Sequence, residues 1–323
     1  MNVTSELKNR VLSGELLNRE SILTLCQAPL DELCSAADEI RAHFCGNGFD
    51  LCTIVNGKSG RCSEDCKYCA QSAHYQTHVE EYSLLGTDEI VRQAKHHAEQ
   101  GVLRYSIVTS GRKLGDADIS QGCESIRAIK ASTDIEVCVS FGLLDEAAFR
   151  KVKAAGASRV HCNLESSRSY FPTVCTTHTY DEKIETLQAA RRAGLSICSG
   201  GIMGLGESME DRIDMALTLR ELGVKSIPIN FLNPIPGTPF ADNAPLSDEE
   251  KRRIVAIYRF ILPNTSIRLA GGRGLIVDKG EGCFRSGANA AISGDMLTTA
   301  GITVETDLQL LDRLGYQARL WNE

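Results

Sequence analysis

Apolar positions follow two rhythms along the chain. Up to about residue 45 they recur at helical spacing, as in 21–25 and 33–40, and predict an N-terminal helical extension. From Leu51 onward, short apolar runs alternate with longer amphipathic stretches. The runs predict strands at 51–56, 104–109, 135–141, 159–164, 196–199, 226–231, 266–270 and 288–292. Between them the 3.6-residue period predicts helices at 87–100, 119–130, 146–155, 180–193, 209–222 and 248–262. Several of these close on a glycine, as at Gly101, Gly156, Gly194 and Gly223. Eight strands alternating with helices predict a parallel α/β fold. A strand-to-strand spacing of roughly 30 residues favours a (β/α)8 TIM-type barrel, with a doubly wound open sheet as the alternative. The expected division is a helical extension over 1–46, a barrel over 47–311 and a C-terminal tail over 312–323.

Composition narrows the function. The chain has 323 residues and a formal charge of −7, and it shows no basic arm, so no nucleic-acid partner is expected. No apolar run reaches the roughly 20 residues that span a bilayer, so no membrane is expected either. The first residues are polar with no apolar h-region, so no secretory signal is expected. Thirteen cysteines in a chain without such a signal argue for reduced thiols in a cytoplasmic protein rather than a disulfide scaffold. For Cys26, Cys34, Cys45, Cys52 and Cys123 the expectation is simple core filling.

Three cysteines stand apart. Cys62, Cys66 and Cys69 form a C-x3-C-x2-C loop directly after the first strand. In a barrel that loop lies at the mouth, where ligands bind. Three thiolates on one loop can hold three irons of a cubane and leave the fourth open. Structural zinc would want a fourth ligand, for which His74 is the near candidate. A redox pair of Cys66 and Cys69 would leave Cys62 unexplained.

This spacing resembles the radical S-adenosylmethionine (SAM) superfamily. Within it, 61–72, 198–207, 227–230, 267–273, 287–289 and 297–299 resemble the biotin synthase family. The resemblance implies an enzyme, a radical SAM sulfurtransferase. Its Cys62, Cys66 and Cys69 would hold a [4Fe–4S] cluster, whose open iron takes SAM. A 5′-deoxyadenosyl radical would abstract hydrogens from dethiobiotin, and an auxiliary iron–sulfur cluster would donate sulfur to give biotin. The auxiliary positions match Ser106, Cys138, Cys198 and Arg268, and Ser106 stands where the family has cysteine. A serine oxygen is a harder, less acidic ligand than a thiolate. The expected auxiliary cluster is therefore a [2Fe–2S] or one of higher nuclearity, completed by one or more of Cys162, Cys175 and Cys283. Strand parity turns Cys162 toward the helices unless it sits at the strand's end.

The same resemblance implies SAM contacts from Tyr68, Asn163, Glu165, Lys183, Gly200, Gly201, Ile202 and Phe231. It implies dethiobiotin contacts from Asn163, Asn230, Thr298 and Thr299. Glycines at 200 and 201 would let backbone approach a ligand, and Lys183 keeps a charge for the SAM carboxylate where relatives have Arg. Arg268 inside a barrel needs an anion, either a cluster or a carboxylate such as Glu136. A flavodoxin or ferredoxin donor and a homodimer follow from the resemblance. The alternatives are a barrel relative of the maturase or mutase branch without sulfur transfer, and a non-enzymatic iron–sulfur carrier, which would need no SAM pocket.

Overall fold

A computed structural model describes residues 2–320. Helices α1 (Val3–Leu12), α2 (Arg19–Thr24) and α3 (Leu30–Cys45) form the N-terminal extension. The alternation then runs β1 (Gly48–Lys58), α4 (Thr87–Glu99), β2 (Arg104–Thr109), α5 (Asp116–Ser132), β3 (Glu136–Ser140), α6 (Glu146–Ala155) and β4 (Arg159–His161). It continues with α7 (Phe171–Val174), α8 (Tyr180–Arg192), β5 (Ser196–Cys198), β6 (Gly201–Met203), α9 (Met209–Glu221) and β7 (Ser226–Phe231). Last come α10 (Asp248–Ile261), β8 (Ser266–Leu269), α11 (Glu281–Phe284), β9 (Ala290–Ile292), α12 (Val304–Leu314) and β10 (Gln317–Ala318).

All main pairings are parallel, and β1 pairs with β9, which closes the sheet. With β5 and β6 as two halves of one interrupted position, the sheet is a closed eight-stranded (β/α)8 barrel. The open-sheet alternative is thereby excluded. Strand outer faces and helix inner faces share one continuous apolar core, from Leu7 and Ile40 of the extension to Leu310 and Leu311 of α12. None of the described helices is long and apolar enough to cross a membrane.

Two details differ from the expected elements. β1 begins at Gly48 and not at Leu51, because Asp50 is buried against arginines of the barrel interior instead of lying in a solvated loop. Beyond residue 311, α12 continues to Leu314, and Gln317–Ala318 adds to β1 at Gly48–Phe49. The remaining residues of the expected tail, 321–323, lie outside the described residues.

α12 is anchored by a two-pronged ion pair. Arg273 Nη1 and Nη2 donate to Asp307 Oδ1 and Oδ2 at 2.7 and 2.6 Å, with both residues buried. Removing one partner of a buried pair strands the other charge. Asp307→Ala is expected to lower folding stability by about 3–5 kcal/mol, read from the urea unfolding midpoint.

Candidate active site

The C-terminal ends of the strands open into a cavity of roughly 410 Å³ that runs down into the barrel. At its mouth lies the loop after β1. There Cys62 N–H donates to Gln71 carbonyl at 2.9 Å, Ala73 N–H to Cys62 carbonyl at 2.8 Å, and Cys69 N–H to Cys66 carbonyl at 2.9 Å. These turns bring Cys62, Cys66 and Cys69 to the cavity wall together. Burial pushes the Cys69 thiol up to about 11.

A second loop, following α7, is bolted to the first. Asp65 Oδ1 accepts from Thr176 N–H at 2.8 Å and from Thr177 N–H at 3.2 Å. Burial works against this carboxylate, but these donors hold it well below the usual carboxylate range. Glu64 Oε2 accepts from Thr177 Oγ1 at 2.9 Å and lies 2.6 Å from His178 Nδ1. Burial raises Glu64, and the His178 and Thr177 contacts bring it below its ordinary value. His178 stands beside the triplet; His74 instead turns its Nε2 to Ser63 carbonyl at 3.0 Å. Neither His178 nor the two acids figured in the sequence expectations. Glu64 and Asp65 lie inside the triplet loop, but their partners Thr176 and His178 are 111 and 114 residues away, so the pairing leaves no local signature.

Midway down, Lys183 of α8 is buried with its charge toward Cys162, Glu165, Cys66 and Cys175. Burial lowers its affinity for a proton, but that ring of groups more than offsets the effect. Glu165 has a positive φ of 71°, and its Oε2 is buried without a hydrogen-bond partner. Tyr68 is driven well above its ordinary value by burial and the neighbouring Glu165 carboxylate. Ile202, Phe231, Thr298 and Thr299 also line this level.

The two asparagines are partly committed to backbone. Asn163 Oδ1 accepts from Gly200 N–H at 3.0 Å. Asn230 donates from Nδ2 to Gly201 carbonyl at 3.0 Å, and its Oδ1 accepts from Gly271 N–H at 2.9 Å. Each amide group retains a second donor or lone pair for a ligand.

Gly200 and Gly201 do not line the cavity. A Cβ at Gly200 would lie 1.9 Å from Pro228 carbonyl oxygen, and one at Gly201 would lie 2.5 Å from Glu165 carbonyl oxygen. Their smallness serves close strand packing where β5 breaks into β6.

At the floor, three arginines turn toward one acid. Asp50, fully buried, lies 3.0 Å from Arg268 Nη2 and 3.7 Å from Arg159 Nη1, with Arg104 also acting on it. Burial would raise Asp50, and the three guanidinium groups hold it below its ordinary value. Glu136, the alternative partner for Arg268, pairs with Lys130 at 3.1 Å.

Cys138, Cys198 and Ser106 line this floor. So does Cys52, expected in the core but placed on the cavity side of β1. Cys52, Cys138 and Cys198 influence one another directly. Burial and the neighbouring Cys198 push the Cys138 thiol up. Burial would raise Cys198 too, but the His161 hydrogen bond and the His161, Arg159 and Arg268 charges hold it below its ordinary value. Parity carried a signal for Cys52. It lies two residues from Asp50 and so shares its face, and a buried acid on one face marks the side where polar groups gather.

The three supplementary cysteines separate. Cys162 lines the cavity because β4 ends at His161 and alternation lapses there. Cys175 sits at the mouth behind Cys66, with Sγ 3.2 Å from Asp65 Oδ1 and 3.3 Å from His178 Nδ1, far from a floor role. Cys283 is on α11, buried among helices near Cys34 and Lys251 and outside the cavity. Neither Cys175 nor Cys283 joins Cys138 and Cys198.

A barrel with a three-thiol loop at its mouth defines the radical SAM class, and a profile described as "Radical SAM superfamily" matches residues 58–219. A second, "Biotin and Thiamin Synthesis associated domain", matches 228–317. Biotin synthase of Akkermansia muciniphila is 57% identical over 320 residues, covering 99% of this chain and 100% of that one. Biotin synthase of Brachyspira hyodysenteriae is 56% identical over 315 residues, covering 98% and 95%. The chain belongs to the biotin synthase family. Among solved structures, methylornithine synthase superposes with a TM-score of 0.84 at 19% identity, covering 97% of each chain. An FeFe-hydrogenase maturase from Carboxydothermus hydrogenoformans gives 0.81 at 19%, covering 97% of this chain and 78% of that one. These two share the fold.

Proposed function

We propose that this chain converts dethiobiotin to biotin as a radical SAM sulfurtransferase, with two thiol sets at two depths of one cavity. When bound, the [4Fe–4S] cluster and SAM supply the electron and the 5′-deoxyadenosyl radical that removes substrate hydrogens, and an auxiliary cluster supplies the sulfur. The donor set fits both groups. Cys62, Cys66 and Cys69 offer three thiols at the mouth, the number that leaves one iron open. Cys52, Cys138 and Cys198 offer three more at the floor beside Arg268, so Cys52 restores the thiol count that Ser106 lowers.

Between the two sets the protein binds and orients. Lys183 holds the SAM carboxylate, and the unpartnered Glu165 Oε2 accepts from its ribose. Tyr68, Ile202 and Phe231 wall the adenine. Asn163, Asn230, Thr298 and Thr299 offer their remaining donors and acceptors to the ureido group of dethiobiotin. A flavodoxin or ferredoxin as electron donor, a homodimer and a cytoplasmic setting belong to the same reading.

The observation that carries it is the stacking of the two thiol sets along one continuous cavity, with a charged polar band between. A carrier needs no such band, and a relative without sulfur transfer needs no thiols at the floor. The test is an anaerobic single turnover of reconstituted protein with SAM, dithionite and dethiobiotin, analysed by mass spectrometry. Biotin with 5′-deoxyadenosine is expected. Deoxyadenosine alone would move the substrate elsewhere, and no SAM cleavage would favour a carrier. Separately, Lys183→Met should weaken SAM binding by about 10–100-fold, the worth of one charge-assisted hydrogen bond, measured by anaerobic equilibrium dialysis.

A further inference from the structure

Cys175 and His178 are not used by this reaction, yet they stand against one of the triplet thiols. The Cys66, Cys175 and His178 ligand atoms all lie within 4.8 Å of one another, a grouping of two sulfurs and an imidazole. Tetrahedral zinc with bonds of about 2.0–2.3 Å sets its ligands ~3.5–3.8 Å apart, so a small closure suffices. Cys175 and His178 are buried, and Cys66 is half-buried toward the cavity, which leaves an entry path.

The surroundings suit a cation. His178 Nδ1 faces Glu64 Oε2 at 2.6 Å and Cys175 Sγ at 3.3 Å, while its Nε2 is buried with no hydrogen-bond partner. The Glu64 carboxylate adds negative charge beside the ring and the two sulfurs, which favours a cation there. Asp65, 3.2 Å from Cys175 Sγ, adds a second carboxylate and pins the loop that carries Cys175 and His178. Two sulfurs and one nitrogen select zinc-like or ferrous ions over magnesium or calcium.

We propose that Cys66, Cys175 and His178 form a mononuclear site for one soft divalent cation, of the Zn²⁺ or Fe²⁺ kind, in the chain that lacks its cluster. Because Cys66 belongs to both sets, the ion and the [4Fe–4S] cluster exclude each other; this exclusion rests on the proposed function. The site therefore decides what a newly made chain does with free metal. Ferrous ion held there sits at the cluster position, whereas zinc held there blocks it.

The test uses the full chain, freed of iron under anaerobic conditions and titrated with Co²⁺, followed by Zn²⁺. One equivalent of Co²⁺ with thiolate-to-metal absorption is expected, displaced by Zn²⁺. The same is expected of the Cys62→Ala/Cys69→Ala double variant. Cys175→Ala should weaken binding at least tenfold and lose part of the thiolate absorption, and His178→Ala should weaken it as well. Circular dichroism checks that each variant folds, and Cys175→Ser serves if Cys175→Ala does not. Binding that survives both Cys175 substitutions, or that disappears in the double variant, overturns the site.

Cluster rebuilding with iron and sulfide is the second readout. Zinc preloading should slow it in the unaltered chain and leave it unslowed in Cys175→Ala; equal slowing in both overturns the exclusion. If no cluster forms in either protein without zinc, the proposed function fails while the Co²⁺ result still stands or falls by itself.

Discussion

Replacing any one of Cys62, Cys66 or Cys69 by alanine is expected to abolish both products, 5′-deoxyadenosine and biotin. The three thiols share one loop whose turns are fixed by backbone bonds among Cys62, Cys66, Cys69, Gln71 and Ala73. Loss of one sulfur leaves a cubane two anchors, and no thiol of the floor set can reach across. Among the described residues, Cys175 is placed to substitute, since its sulfur lies against Cys66. The sharpest form of the prediction compares positions. Cys62→Ala and Cys69→Ala should lose the cluster's visible absorption entirely, whereas Cys66→Ala retains any residue of it through Cys175. Deoxyadenosine formed at the unaltered rate by any of the three would place the radical chemistry elsewhere.

The second large effect separates the two products. Cys52→Ala, Cys138→Ala and Cys198→Ala should each leave deoxyadenosine formation in place and remove biotin. Iron and acid-labile sulfide per chain should fall to the content of the mouth cluster alone. The reason is depth: these thiols sit at the floor with Arg268 and Asp50, beyond the band proposed to hold SAM. Ser106→Cys is the converse change, because Ser106 lies beside Cys138 in the sheet register. Unchanged iron in all three alanine variants would remove the auxiliary site from the mechanism.

The alternating plan was legible because parallel barrel strands are buried on both faces and read as short apolar runs, and because glycines such as Gly156 and Gly194 stop the helices. The mouth was legible because its three thiols lie within one loop. What escaped was assembled from distant segments. Glu64 meets His178, and Asp65 meets Thr176, across two loops that sequence places more than a hundred residues apart. Arg104 and Arg159 join Arg268 around Asp50 only once the sheet closes. Cys283 precedes β9 by only a few residues in sequence, but it lies on α11 in the outer layer. Gly200 and Gly201 resembled a ligand cradle, yet steric crowding between strands accounts for them.

One strand joins the two thiol sets. Cys52 lies inside β1, and the loop bearing Cys62 begins where β1 ends at Lys58. At ~3.3 Å per residue the separation along this strand is on the order of 20 Å, set by a strand paired with β2 from Cys52 to Lys58 and held by β9 at its Asp50–Cys52 end. On the proposed function, β1 is thus a ruler between the source of the radical and the source of sulfur. A one-residue insertion within it would rotate Cys52 out of the barrel, while a two-residue insertion would keep its facing and stretch the gap. Spacing between the two half-reactions is therefore quantised by the pleat, and it drifts little with loop length or temperature.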